Sequence, residues 1–245
     1  MRICFIQHEP YVGPGYYLTW ARDHQYDVQI INCHVEKPTP QLVQKADMLV
    51  VLGGPQNPHT SKQKCSYFDA QAERETIRAF IQQRRMVVGV CLGGQLIGES
   101  LGIPYEHSLH KEEGAVQVWL NESGKQDPLL QNFQDSAFLG EWHNDMMGVN
   151  SQTPVLAFSE GCPRQIVRYG ELVYGLQCHM ELTPPDYERL IDKIGDDVKK
   201  YQQYQYVQSA KEIRKIDCQT MNRNLVNFLD NLINRYQELN DTQID

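Results

Sequence analysis

The chain has 245 residues, 41% of them hydrophobic, enough to bury a sizeable core in one α/β domain with appendages or in two small domains. Its 31 acidic and 23 basic side chains leave a formal charge of −8 with no long basic stripe, which argues against nucleic acid and anionic membrane as partners. No apolar run approaches the roughly 18 residues of a membrane span, and Met1-Arg2-Ile3-Cys4-Phe5-Ile6 lacks a signal-peptide layout and reads as the first strand of a cytoplasmic protein.

Residues 2–7 form a short apolar strand, followed by a Pro/Gly-rich loop over 8–15 and a helix near 16–23. Residues 26–32 alternate as a second strand. A proline-punctuated connection and a short helical piece ending near Lys45 lead to a third strand over 47–52, which stops at Gly53-Gly54-Pro55. Apolar positions at helical spacing fill 68–84, before the run Met86-Val87-Val88-Gly89-Val90 that ends at Cys91. Strand and helix in this repeated order imply a parallel sheet with right-handed crossovers. From Tyr105 the elements shorten, with strands expected over 114–120, 137–140, 154–158, 165–168 and 172–177 as a mixed continuation of the sheet. Thr183-Pro184-Pro185-Asp186 is a capping-box-like start for a helix over 186–195. Residues 196–214 look helical, and Leu225, Phe228, Leu229, Leu232, Ile233, Tyr236 and Leu239 stripe a final amphipathic helix. The division that follows is an α/β unit over 1–190 and a helical extension over 191–245.

Cys91 has glycine two places before it and two places after it, Gly89 and Gly93, and a helical pattern follows at once. That is the spacing of a nucleophile elbow, where a strained strand-to-helix turn leaves room only for small neighbours. A thiol at a helix N-terminus is pulled below its unperturbed pKa of about 8.5. A cysteine that merely packs would need none of these features. Gly53-Gly54-Pro55 ends the neighbouring strand. Taken alone it is an ordinary turn, but its backbone N–H, with that of Leu92, can meet a substrate oxygen. The last sheet strand runs into Cys178-His179-Met180-Glu181, and alternation points His179 and Glu181 to one side. Cys91, His179 and Glu181 thereby supply nucleophile, base and orienting carboxylate. The seven cysteines, an odd number without a C-x-x-C pair, indicate neither a disulfide framework nor a zinc site.

Three ordered motifs, Gly53-Gly54-Pro55, Gly89-Val90-Cys91-Leu92-Gly93-Gly94-Gln95 and Gly175-Leu176-Gln177-Cys178-His179-Met180-Glu181, resemble the signature set of the class I, triad-type glutamine amidotransferases. Met180 departs from the family's usual proline, while His179 and Glu181 are kept. Trp142-His143-Asn144-Asp145 resembles the Trp-His-x-Asp stretch of stand-alone and GMP-synthetase-like members. The resemblance covers about residues 1–190. It implies a flavodoxin-like, mostly parallel sheet flanked by helices, and attack by Cys91 on the glutamine γ-amide to give a γ-glutamyl thioester and ammonia. It further implies an oxyanion hole at Gly54 and Leu92, a substrate pocket at Gln95, and His143 and Asp145 on the substrate side, with no metal and no cofactor. No phosphate-binding loop or second catalytic domain is visible, so the ammonia acceptor is expected on a synthase partner protein. A γ-glutamyl peptide hydrolase and a non-enzymatic binding module on the same fold are the alternatives.

Overall fold

The computed structural model describes residues 1–241, apart from the side chains at 194 and 196–198. Its first half alternates as the sequence predicts: β1 (Arg2–Gln7), α1 (Tyr16–Asp23), β2 (Asp27–Asn32), α2 (Pro40–Val43), β3 (Met48–Val51), α3 (Ala70–Gln82), β4 (Met86–Val90) and α4 (Leu92–Ser100). There follow β5 (Glu106–Leu120), α5 (Glu122–Lys125), β6 (Ser136–Met146), β7 (Val155–Ser159), β8 (Ile166–Gly170), β9 (Val173–Leu176), α6 (Pro184–Tyr201), β10 (Tyr206–Val207), α7 (Ala210–Ile213) and α8 (Gln219–Asp241).

All ten strands join one mixed sheet in the order β10-β5-β7-β8-β9-β4-β3-β1-β2, with β6 also paired to β5. β2, β1, β3, β4 and β9 are mutually parallel, whereas β9, β8, β7, β5 and β6 pair antiparallel. Parallel strands need crossover helices, and α1 to α4 supply them. Side-chain alternation along β1 sends Ile3 and Phe5 to one face, with Trp20 of α1 and Phe228 of α8. It sends Cys4 and Ile6 to the other, with Ile77 and Phe80 of α3 and Leu96 of α4.

Four parts of the chain differ from the expectation. β5 begins at Glu106 and β6 continues to Met146, both longer than the apolar pattern indicates, because they pair with each other from Glu106↔Met146 to Trp119↔Ser136. The charged run Lys111-Glu112-Glu113 hides this, since Glu112 and Glu113 are buried by polar partners rather than by apolar ones. α6 passes through Gly195 to Tyr201, where a glycine costs about 1 kcal/mol relative to alanine without ending the helix. The stretch 196–214, expected to be helical throughout, is interrupted by β10 before α7.

The final amphipathic helix packs on its own chain. Leu225, Phe228, Leu229 and Leu232 are fully buried, and Phe228 meets Tyr174 edge-on at 5.4 Å between ring centroids. Trp20 Nε1–H donates to Asp230 at 2.8 Å. Asn222 Nδ2–H donates to the carbonyls of Met180 at 2.7 Å and Leu182 at 3.0 Å, so α8 braces the segment that carries Glu181. Among the described residues no helix is long and apolar enough to cross a membrane. Phe228→Ala should cost about 3–5 kcal/mol, a fall in Tm of roughly 6–20 °C for a chain of this size. A thermal melt unchanged within 2 °C would contradict this packing.

Candidate active site

β4 stops at Val90, and Cys91 caps the N-terminus of α4 with a φ of 51°, a backbone region that non-glycine residues rarely hold. The flanking glycines are demanded by contact. A Cβ on Gly89 would lie 2.4 Å from the Gly93 carbonyl, and one on Gly93 would lie 1.9 Å from the Val51 oxygen. The elbow therefore presses against β3, whose Val51 pairs with Gly89. β3 leads into Gly53, where a Cβ would come 3.4 Å from Cys91 Cβ and 3.2 Å from His179 Cε1. The cysteine and the histidine thus converge over one glycine.

His179 lies three residues beyond β9, and its N–H donates to the Gly140 carbonyl at 2.6 Å, which stitches it to β6. Its Nδ1–H donates to Glu181 Oε1 at 2.7 Å. Both side chains are buried, at 6% and 3% exposure, and among the described residues Nε2 has no hydrogen-bond partner. Burial alone would lower the imidazole pKa, but the Glu181 charge and hydrogen bond, with the neighbouring Cys91, push it up to about 10. Glu181 is held through its own backbone, since Tyr16 N–H at the start of α1 donates to its carbonyl at 2.8 Å. Gly15 makes that approach feasible, because a Cβ there would sit 2.3 Å from the Glu181 oxygen.

A cavity of about 270 Å³ opens over this pair, and Gly54, Cys91, Gln95, His143, Asp145 and His179 all reach its wall. Leu92 opens α4 with its side chain buried against Gly54. Gln95 Nε2–H donates to Gln177 Oε1 at 3.3 Å. His143 and Asp145 lie on β6. Asp145 pairs with His107, while His143 Nε2 faces two buried carboxylates, Glu112 at 3.0 Å and Glu141 at 3.1 Å. Burial opposes a charge on His143, yet these two carboxylates raise its pKa well above the usual value. Burial in turn raises Glu141 to about 7. Sequence reasoning missed Glu112, Glu141 and the wall residues Tyr11, Gln56 and Lys111. A hint at Glu112 lay in the adjacent Glu112 and Glu113 on a strand that also carries Val116, Val118 and Leu120.

Among the described residues, two side-chain groups have ligand atoms within 4.8 Å of one another, as a metal site requires: His8, Cys33 and Glu73, and Glu112, His143 and Cys162. Hydrogen bonds occupy much of both. His8 uses Nδ1 and Nε2 on Gly53 and Glu73, and Glu112 receives Ser159 and Gln165 besides His143. All seven cysteines are free thiols.

A thiol at a helix N-terminus, beside an imidazole oriented by a carboxylate, is an arrangement for attack on a carbonyl carbon. Burial raises the Cys4 thiol to about 12 and Cys218 to about 11, and it also raises Cys33, Cys162 and Cys178. Iodoacetamide below pH 7 should therefore label Cys91 ahead of these five, and uniform labelling in a mass-spectrometric time course would contradict the arrangement. Because the His179 pKa rises on folding, its ion pair contributes fully below the ordinary value of 6.5 and is lost as pH climbs through about 10. The Tm gap between the parent and Glu181→Gln should be widest near pH 6.5 and close towards pH 10; a gap that does not change with pH would contradict the pairing.

The profile of the family "Glutamine amidotransferase class-I" matches residues 19–194. The glutamine amidotransferase-like protein YfeJ of Salmonella typhimurium is 44% identical over 232 residues, covering 95% of this chain and 97% of that protein. A glutamine-hydrolysing GMP synthase subunit from Saccharolobus solfataricus is 27% identical over 159 residues, 64% of this chain and 77% of that one. The crystal structure of SMU.1228c superposes with a TM-score of 0.92 at 42% identity, covering 95% of this chain and all of the other. With the elbow, the His179–Glu181 pair and the mixed sheet in place, the chain belongs to the class I glutamine amidotransferase family.

Proposed function

We propose that the protein hydrolyses the γ-amide of glutamine through a thioester on Cys91. The observation that carries this reading is the His179 imidazole, fixed by Glu181 at Nδ1 and unpartnered at Nε2 beside Cys91 in a cavity. His179 takes the thiol proton, and Sγ adds to the amide carbon. The negative charge that develops on the amide oxygen meets the N–H groups of Gly54 and Leu92. The C–N bond then breaks as His179 returns the proton to the leaving nitrogen, releasing ammonia. Water adds to the thioester, gives a proton to His179, and the C–S bond breaks to release glutamate and the thiol. Gln95, His143 and Asp145 border the amino-acid end of the substrate.

The family profile ends at residue 194, near the 1–190 limit read for the amidotransferase unit; α6 runs across that limit and β10 returns to the sheet, so the remainder is a mainly helical extension that braces the unit through Asn222. The likeness to one subunit of a GMP synthase supports a synthase partner that consumes the ammonia. Seven free thiols fit a reducing compartment such as the cytoplasm.

The test is turnover by the purified protein on glutamine and on a panel of γ-glutamyl peptides. Ammonia release from glutamine, abolished by Cys91→Ala and lowered about 10²–10⁴-fold by Glu181→Gln, is the expected result. Faster cleavage of the peptides would make the protein a γ-glutamyl peptide hydrolase, and silence on every substrate would make it a binding module on this fold.

A further inference from the structure

Just past β1, packed under α3, lies a buried pair that the proposed chemistry does not use. Alternation points His8 the same way as Cys4 and Ile6, under α3. It is fully buried, as is Glu73 on the inner side of α3, 65 residues away. His8 Nε2–H donates to Glu73 Oε2 at 2.8 Å, and Nδ1–H donates to the Gly53 carbonyl at 3.1 Å. Both ring nitrogens therefore face acceptors. Burial alone would lower the His8 pKa, but the Glu73 charge and hydrogen bond, the Gly53 carbonyl and the Glu9 charge together raise it. The edge of Phe68 closes over the ring at 5.7 Å between centroids.

The bond to Gly53 is out of step with the sheet. Leu52 N–H still donates to the Ile6 carbonyl at 3.0 Å, so β3 follows β1 up to that residue. In a strand that continued regularly, backbone groups would alternate sides, and the Gly53 carbonyl would turn towards β4. Instead it turns back to His8. Across a trans peptide the C=O and the next N–H point in opposite directions, so the Gly54 N–H faces away from His8 and α3. Cys91 and His179 stand beside this peptide, 3.4 Å and 3.2 Å from where a Cβ on Gly53 would lie. With glycine on both sides of the bond, no Cβ opposes rotation of this peptide, and something else must set its direction.

We propose that His8, braced by Glu73, is a positioning residue that holds the Gly53 carbonyl and thereby aims the Gly54 N–H at the oxyanion formed on a substrate attacked by Cys91. The inference rests on the acyl-transfer reading given above. It adds a specific requirement, a donor at the Nδ1 position of residue 8.

Two polar substitutions separate the two hydrogen bonds of His8. An asparagine amide nitrogen takes the place of Nδ1, whereas a glutamine amide nitrogen takes the place of Nε2. His8→Asn keeps the bond to Gly53 and gives up Glu73, and His8→Gln does the reverse. Each variant, with its fold checked by a thermal melt, is compared with the parent in two reactions of Cys91. Acylation by p-nitrophenyl acetate passes through an oxyanion; alkylation by iodoacetamide does not. The expected result is that His8→Gln slows acylation by about tenfold or more, within the range for losing one oxyanion donor, while alkylation stays within twofold of the parent. His8→Asn should acylate several times faster than His8→Gln. Equal acylation by the two variants, a parallel fall in acylation and alkylation, or a parent protein that the ester does not acylate would each overturn the proposal. A parent that the ester acylates but that leaves glutamine intact would refute the glutamine reading alone, and the comparison at His8 would still stand.

Discussion

At the end of β4 the chain turns through Cys91 with a φ of 51°, and the turn closes only because Gly89 meets Gly93 and Gly93 meets the Val51 carbonyl without a Cβ between them. Much else in the site depends on that contact. It brings the C-terminal ends of β3 and β4 side by side, so that Gly53 lies beneath the thiol. It also starts α4 at the cysteine, so the thiol sits at a helix N-terminus, where backbone N–H groups lack helical partners. Because β9 pairs with β4 in parallel register, the segment leaving β9 emerges at the same edge and delivers His179. Ligand sites at the carboxyl ends of parallel strands are the general rule. Here the rule is enforced by one steric contact between two adjacent strands.

Around the elbow the protein buries charge in pairs: His179 with Glu181, His143 with Glu112 and Glu141, and His8 with Glu73. Desolvating such groups is costly, and a buried ion pair is weak evidence for stability. The arrangement makes sense as orientation. Each histidine presents a fixed ring edge because a carboxylate holds one of its nitrogens. For His179 that leaves Nε2 to Cys91. For His8 it leaves Nδ1 to a backbone carbonyl. Removal of one partner would leave an uncompensated charge in the core, so these carboxylates are constrained by structure as well as by chemistry.

The parallel half of the sheet was legible because each strand is an apolar run ended by glycine or a polar loop, and each helix carries a clear 3.6-residue period. The elbow and the His-x-Glu pair were legible because their spacing is dictated by local backbone geometry. What escaped was polar and distant. The full lengths of β5 and β6 are hidden because Lys111, Glu112, Glu113 and His143 interrupt the apolar alternation, and Glu112 is satisfied in the interior by Ser159 and Gln165, distant in sequence. Asn222 looks like one polar residue at the start of an amphipathic helix, and its link to the segment that carries His179 and Glu181 lies 42 residues upstream. His8 and Glu73 carry no mutual signal, since one follows a strand and the other sits amid a helix pattern rich in charge. Local periodicity sees elements, and long-range hydrogen bonds between polar side chains leave no periodic trace.

Acylation of the elbow thiol is the step on which the proposed hydrolysis turns. Mixing the protein with glutamine, quenching in acid within the first turnovers and mapping the intact protein and its peptides by mass spectrometry tests it most directly. The expected result is a γ-glutamyl adduct confined to the peptide that contains Cys91 and absent from Cys91→Ala. Turnover of glutamine with no adduct, or an adduct on any of the other six cysteines, would contradict it.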